Sequence, residues 1–343
     1  MKDQLDILYT GSLDPFSNSF RRYRTLEMLG HQTIGIDTDH FILGSLFTKI
    51  HYHLNIGPGI HSLNNQIIKT IKGHSIDLLL VDNKSYITKR TLTKIKSISP
   101  KTKIVNIITD DPGIGNKRSW RLALETAAFF DMHFVQRVPN IAELKSYGAK
   151  DVALCFRSYD PHFHRPIKLS PEENKVFHAA VGFIGTYEED RESFIAYLIK
   201  NGIPVRVVGD SWAKGKYWNL VQPFYGGPSI YGEDYIRNIN GMDIALHFLR
   251  KANRDEQDSR TFEIPACGKF MLAERSPLHT QFFVENEEAV FFDSKEDLLE
   301  KVKYYLLHED ERNRIAYNGM QRCKSSGYDH ESRLKKVIDT IFR

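Results

Sequence analysis

The sequence predicts an α/β protein built on two doubly wound parallel sheets. Three observations predict it. Short apolar runs of strand length alternate with helix-like segments through the first half of the chain. A polar, proline-containing stretch from Arg157 to Lys175 then interrupts them. After it the same alternation starts afresh. Strands that alternate with helices pair in parallel, because each crossover helix returns the chain to the starting end of the sheet. The expected organisation is a first Rossmann-like domain over 1–158, a linker over 159–175 and a second domain over 176–320. A C-terminal helical stretch, 321–343, is expected to pack back on the first domain.

In the first half, DILYTG (Asp6 to Gly11) has the pattern of a strand ending in a glycine turn. SFRRYRTLEMLG follows as a helix closed by Gly30, since glycine readily takes the left-handed conformation past a helix end. TIGID (Thr33 to Asp37) is the next strand. DLLLVDN (Asp77 to Asn83) is a continuous apolar run, as expected where both faces of a parallel sheet are covered. KIVNIITDDP (Lys103 to Pro112) is another, stopped by two acids and a proline, and HFVQ and VALCF complete the series.

In the second half, FHAAVGFIG predicts a strand leading to a helix near Glu188, and VRVVGD (Val205 to Asp210) a second strand. YGEDYIRNIN is a helix, IALHFL (Ile244 to Leu249) a buried strand, and AVFFD (Ala289 to Asp293) a further strand. SKEDLLEKVKYYLL is an amphipathic helix with Ser294 as its N-cap and Asp297 in the capping-box position, where Glu or Gln is usual.

Composition narrows the function classes. With 41% hydrophobic and 12% aromatic residues, the 343-residue chain is suited to packed cores and not to disorder. Its formal net charge is +4 and its pI about 8.7. Between Lys69 and Lys103 basic residues far outnumber acids, which fits a solvated helix face, an anionic acceptor or an anionic membrane surface. Cys155, Cys267 and Cys323 are isolated, which points to a reducing cytosol and to neither zinc nor a disulfide framework. The first residues lack a signal-peptide core, and no apolar run reaches the ~20 residues that span a bilayer. A cytoplasmic protein is expected.

The most informative segment is RTFEIPACGKFMLAER, Arg260 to Arg275, which predicts a short helix, a glycine stop and a buried strand. With IALHFL and the charged loop RKANRDEQDS before it, this is a strand–loop–helix unit of the kind that holds ligands at the carboxyl edge of an open α/β sheet. The first N–H groups of a helix carry partial positive charge and favour anions. Asp258, Ser259 and Thr261 are competent N-caps. Pro265 is tolerated only in a first turn, so the helix must start close to Thr261. Arg260 can pair with a diphosphate, and Glu263 can accept bonds from two ribose hydroxyls. An ordinary surface ion pair between Arg260 and Glu263 is the competing reading.

Three further groups carry candidate chemistry. In GFIGTYEEDRES, Gly185 lets the backbone approach a phosphate closely, and Arg191 in the next helix can reach the diphosphate. Gly209 and Asp210 end the following strand and can border a base pocket. In GSLDPFSNSFRRYR, one early glycine without GxGxxG argues against a dinucleotide cofactor. Ser12, Asn18 and Arg21 there are candidates for phosphate contacts, whereas Arg22 and Arg24 are expected to face solvent. In TDDP, Asp110 and Asp111 can provide a base or bind a hydroxylated acceptor, or simply form a turn. No DxD, HExxH or GxSxG pattern stands out. HYH (His51 to His53) and HFH (His162 to His164) would each put two histidines on one side of a strand, with loop or linker surface as the plainer reading.

Glu263, Gly268 and the strand after them, with an acid eight residues before Glu263, resemble the nucleotide-sugar site of retaining glycosyltransferases of the family 4 type. More specifically, SRTFEIPACGKFMLAER followed by FFDSKEDLLEKVKYYLLHEDERNRIA resembles the CgeB-like glycosyltransferases, from about Tyr231 to the end of the chain. ILYTGS, LEMLGH, ELKSYGAKDVALCF and YDPHFHRP extend the likeness more loosely. The resemblance implies a GT-B fold, two Rossmann-like domains facing each other across a cleft. It implies a nucleotide-sugar donor on the second domain, an acceptor (glycan, protein or lipid) on the first, and neither an essential metal nor a cofactor. Glu263 would hold the ribose, and Asp255, where a glutamate is usual, would contact donor-sugar hydroxyls. Asp110, Asp255 and Arg260 are the catalytic candidates. Gly185, Arg191, Gly209, Arg260, Thr261 and Glu263 are the donor-binding ones, and Ser12, Asn18, Arg21 and Asp111 lie on the acceptor side. Three rivals remain: a nucleotide-sugar epimerase, a non-catalytic envelope or spore-coat protein with this fold, and a nucleic-acid-modifying transferase.

Overall fold

A computed structural model describes residues 4–43, 48–113 and 117–343. The chain divides into two compact units. The first comprises residues 1–157, Arg250–Asp255 and His330–Arg343; the second comprises Ser158–Leu249 and Glu256–Asp329.

The first unit holds strands β1 (Asp6–Gly11), β2 (Gln32–Asp37), β3 (Leu78–Asp82), β4 (Lys103–Ile108), β5 (Met132–Val135) and β6 (Val152–Leu154). Its helices are α1 (Asn18–Met28), α2 (Thr38–Ile42), α3 (Thr48–Leu54), α4 (Pro58–Gly73), α5 (Lys89–Ile98), α6 (Lys117–Glu125) and α7 (Val138–Ser146). The second holds β7 (Ala179–Ile184), β8 (Arg206–Val208), β9 (Tyr225–Gly227), β10 (Met242–His247), β11 (Phe270–Glu274) and β12 (Val290–Phe292). Helices α8 (Pro171–Phe177), α9 (Glu189–Lys200), α10 (Trp218–Val221), α11 (Gly232–Asn240), α12 (Arg260–Ala266), α13 (Pro277–Phe282), α14 (Lys295–Leu307) and α15 (Glu309–Ser325) belong to it. The last helix, α16 (His330–Phe342), returns to the first unit.

Both sheets are six-stranded, in the orders β2-β1-β3-β4-β5-β6 and β12-β11-β10-β7-β8-β9, and every named pairing is parallel. Each order reverses direction once, between β1 and β3 and between β7 and β10. Those are the switch points, where the loops leaving neighbouring strands diverge and open a crevice.

Burial explains the layering. In the first unit Ile60, Leu63, Ile67 and Ile71 of α4 and Leu92 and Ile95 of α5 pack with Leu8, Leu79 and Val81 on one face of the sheet. On the other face Leu26 of α1 and Leu334, Val337 and Ile338 of α16 pack with Ile7, Tyr9, Leu78 and Leu80. In the second unit Val181, Phe183, Leu246, Phe248, Leu272 and Phe292 form the centre of one core.

Several local expectations change. Residues 159–175 lie within the second unit, where Tyr159 bridges Asp329 and a full capping box, Ser170 with Glu173, starts α8. Ser294 caps α14 through the Asp297 N–H at 3.1 Å, but Asp297 bonds the N–H of Asp293, one residue before the cap. Pro265 is the sixth residue of α12 and not in its first turn, so this short helix forgoes one backbone bond; Gly268, at φ +68°, ends it. HYH lies in helix α3, and HFH lies in a turn, so neither pair shares a strand face. Among the described residues no helix is long and apolar enough to cross a membrane.

Candidate functional site

In the second unit the switch point is held by two arginines that exchange partners. Arg260, which opens α12 beyond β10, donates from Nε to the Ile184 carbonyl at the end of β7, 2.8 Å away. Arg191, on α9 beyond β7, donates to the Phe248 carbonyl just past β10 (3.4 Å) and to Thr186 O (3.0 Å). Its guanidinium also lies 5.8 Å from the Phe183 ring centroid. Arg191 is buried, whereas Arg260 is half-buried and can meet a ligand.

The start of α12 is braced from below. The Asp258 carboxylate accepts the Arg260 N–H at 2.7 Å and pairs with His247 Nε2 at 2.9 Å. Thr261 Oγ1 accepts the Asp258 N–H at 3.1 Å and lies 2.9 Å from His279 Nε2. Nδ1 of His279 is 2.7 Å from the Glu274 carbonyl, which can only accept, so Nδ1 carries the proton and Nε2 takes the threonine hydrogen. Burial pushes His279 down to about 3, which keeps the ring neutral. Burial alone would raise Asp258, but His247 and Arg260 outweigh it and hold the carboxyl well below its usual range. The positive end of this helix thus meets an anion of the chain itself, and Thr261 is fully buried.

Glu263 is 3% exposed. It accepts a hydrogen bond from the Tyr235 phenol of α11 and lies 3.5 Å from His164 Nε2. Burial, with Glu263 adding to it, pushes the Tyr235 hydroxyl well above its ordinary value and keeps it a donor. The Arg260 guanidinium lies 5.7 Å from the centroid of the same ring. Glu263, Arg260, Tyr235 and His164 therefore form one cluster beside the switch.

Gly185 and Gly209 meet at the ends of β7 and β8. Gly209 has φ +151°, and a Cβ there would lie 2.1 Å from Gly185 O. Trp212 Nε1 donates to that same oxygen at 2.9 Å. The neighbouring Asp210 is exposed, and bonds from the Ser229 hydroxyl and N–H lower its pKa.

The first unit has a cavity of about 340 Å³ at its own switch point. Ser12, Asn18 and Asp110 line it, together with Asp82, Lys84 and Arg157. Ser12 Oγ donates to Asp39 at 2.5 Å, and Asp110 is exposed, 2.8 Å from Asn83 Nδ2 and 3.7 Å from Arg157. Arg22, expected in solvent, is 9% exposed and grips Asp82 through Nε and an Nη at 2.6 and 2.8 Å. The reason is position: Ser19, Arg22 and Leu26 share the buried stripe of α1, and Asp82 ends the adjacent strand. Arg24 is exposed, as expected, and pairs with Glu27. Lys84 reaches the Tyr52 carbonyl at 2.7 Å, and burial pushes its ammonium down to about 8. Arg21 is half-buried and lies outside the cavity lining.

Asp111 and Asp255 belong to a separate ion-pair network of the first unit. Arg254 holds Asp111 at 2.6 and 2.7 Å and Glu143 at 2.8 and 2.9 Å. Asp255 is paired with Arg137 and accepts from Asn253 Nδ2 at 3.0 Å. The sequence marked Asp258 as a cap of the site helix but offered no signal that His247 pairs with it, or that Tyr235 and His164 meet Glu263, because these partners lie in other elements.

Comparison with known proteins agrees with this geometry. Residues 191–339 match the family model described as glycosyl transferase-like. No curated protein matches the chain. Among solved structures, sucrose-phosphate synthase from Thermosynechococcus elongatus superposes with a TM-score of 0.68 at 9% identity, covering 98% of this chain and 99% of that one. HepE from Anabaena in complex with UDP gives 0.64 at 11% identity, with 98% and 99% covered. A glycosyltransferase from Rickettsia africae gives 0.66 at 14%, with 99% and 98% covered. At such identities the likeness establishes the fold: two six-stranded parallel sheets flanked by helices, the GT-B architecture, to which a glycosyl transferase-like segment contributes most of the second unit.

Proposed function

We propose that the chain is a glycosyltransferase that moves a sugar from a nucleotide-diphosphate sugar to a hydroxyl-bearing acceptor, with retention at the anomeric carbon and without an essential metal. The observation that carries this reading is that Arg191 and Arg260, both within the matched segment 191–339, hold the β7/β10 switch from its two sides. We place the chain in the CgeB-like branch on the strength of SRTFEIPACGKFMLAER, and in the cytoplasm, where nucleotide sugars are made.

In this reading the diphosphate lies against Arg260, with Arg191 fixing the strand ends beneath it. Glu263 takes the ribose hydroxyls in exchange for the Tyr235 phenol. Gly185 and Gly209, lacking side chains, let the donor approach the backbone. As the glycosidic C–O bond breaks, its electron pair passes to the diphosphate, and the arginine charge stabilises the oxygen that gains it. A preorganised donor of this type is worth about 10²–10³ in rate. The acceptor oxygen attacks from the face the leaving group departs, and a phosphate oxygen takes its proton, so no strong side-chain base is needed. The cavity of Ser12, Asn18 and Asp110 is the proposed acceptor station. Asp255, held by Arg137, steadies the 250–255 segment.

The test is a thermal-shift panel of UDP, GDP, ADP, CMP and TDP with and without Mg²⁺, run on the wild type and on Glu263→Ala. A ligand that binds only the folded state raises the melting temperature by mass action. HepE was solved with UDP, with UDP and glucose, and with UDP-glucose, which makes UDP the first candidate. Stabilisation by one diphosphate without metal, lost in a folded Glu263→Ala variant, is the expected result. Unchanged affinity in that variant would remove the ribose assignment.

A further inference from the structure

Helices α4 and α5 cover the same face of the first unit's sheet, their apolar stripes side by side in one core. Neither PGIHSLNNQIIKTIKG nor KRTLTKIKSI contains an acid. Their outward positions carry Lys69, Lys72, Lys89, Arg90 and Lys94, and Lys101 follows in the loop to β4; all six are exposed. Among the described residues none of the six makes an ion pair. The acids nearby are already engaged. Asp82 is buried against Arg22, Asp131 is paired with Lys96, and Asp77 is half-buried and accepts the Asp6 N–H. Residues 69–103 hold nine basic and two acidic side chains, so this stretch is more positive than the whole chain at +4 and the remainder is net acidic.

We infer that the α4/α5 face docks on an anionic lipid surface. Lys69 and Lys72 sit near the C-terminal end of the 16-residue, roughly 24 Å long α4, and Lys89, Arg90 and Lys94 in the first two turns of α5, so the two helices together carry the charge. An anionic leaflet attracts such charges individually, and the attraction fades within a Debye length. Five of the six cations are lysines, point charges on flexible stems, which suit diffuse headgroup charge better than bidentate base or phosphate recognition. The exposed positions of the two helices carry no phenylalanine, tyrosine or tryptophan on which nucleic-acid bases would stack. At the end of α5, Ile98 is 36% exposed and adds a small apolar contact. The lipid surface is the partner whose charge matches the whole face.

The experiment is co-sedimentation of the full chain with vesicles of phosphatidylcholine alone and of phosphatidylcholine mixed equally with phosphatidylglycerol, at low and high salt. The wild type is expected to bind only the anionic vesicles and to be released by salt. Lys69→Glu/Lys89→Glu/Lys94→Glu should abolish binding, since each charge removed weakens it about fivefold. Lys214→Glu/Lys303→Glu/Lys324→Glu, which changes the net charge equally on the other unit, should bind nearly as the wild type does. Melting temperature and UDP binding report whether each variant folds, and they separate failure of this inference from failure of the transferase reading. Three results would overturn the inference: no wild-type binding to anionic vesicles, equal loss in both triple variants, or tighter salt-sensitive binding to duplex DNA than to vesicles.

Discussion

The guanidinium of Arg260 donates through Nε to the carbonyl of Ile184, 2.8 Å away, and so ties the start of α12 to the end of β7. One bond thereby joins the two loops that diverge at the second unit's switch point. It uses only one edge of the guanidinium fork, and the residue is half-buried, so the remaining N–H groups can turn to a phosphate.

Arg260→Met should therefore lower turnover far more than it lowers stability. Loss of one preorganised charge against the leaving diphosphate predicts a fall in kcat of about 10²–10³. Arg260→Lys should recover little, because an ammonium cannot hold the Ile184 carbonyl and a phosphate with fixed geometry. Steady-state kinetics with the donor found by thermal shift checks this. A kcat within a few-fold of wild type would remove Arg260 from the mechanism.

A second expectation concerns Gly209. Its φ of +151° is unfavourable for other residues, and a Cβ would lie 2.1 Å from Gly185 O and 2.6 Å from Gly185 C. Backbone cannot rotate aside as a side chain can. Gly209→Ala should cost about 1–3 kcal/mol and shift the end of β7, weakening nucleotide binding as well. Gly202→Ala is the control: Gly202 has φ +81° with nothing within 4 Å of an added Cβ, so it carries backbone strain alone. Equal nucleotide affinity in the two variants would show that the Gly185–Gly209 contact does not shape the site.

What the sequence made legible was periodic and local. The apolar runs gave the strands that alternate with helices, and the 260–275 segment gave helix, glycine and strand. Ser170 and Glu173 spelled out a capping box that was there to be seen inside the supposed linker. Arg22 was equally legible in the buried spacing Ser19, Arg22, Leu26, but its charge argued for solvent and prevailed over its position. Tertiary pairing was not legible. Asp255 sits eight residues before Glu263, yet it clusters with the first unit because its partner is Arg137. Tyr235 and His164 reach Glu263 from segments 28 and 99 residues earlier, a juxtaposition set by the fold and not by any spacing in the chain.

The ion pair of Asp111 with Arg254 predicts a pH dependence. Burial alone would raise the Asp111 pKa, but bonds from Arg254, Asn140 and the Gly113 N–H outweigh it and hold the carboxyl below its ordinary value. Arg254 likewise draws Glu143 down. A carboxyl whose folded pKa lies below its unfolded value contributes stability that is complete above the unfolded value and is lost as pH falls through the folded one. The loss should begin at about pH 4, the ordinary carboxylate range, and deepen below it. Arg254→Met leaves the buried Asp111 charge without its cation and should cost about 3 kcal/mol at neutral pH. As acid protonates Asp111 the missing cation matters less, so the gap between variant and wild type should narrow. Thermal midpoints of both proteins from pH 7 downward measure it. A gap that stays constant through this range would mean that Arg254 acts by packing and not by its charge.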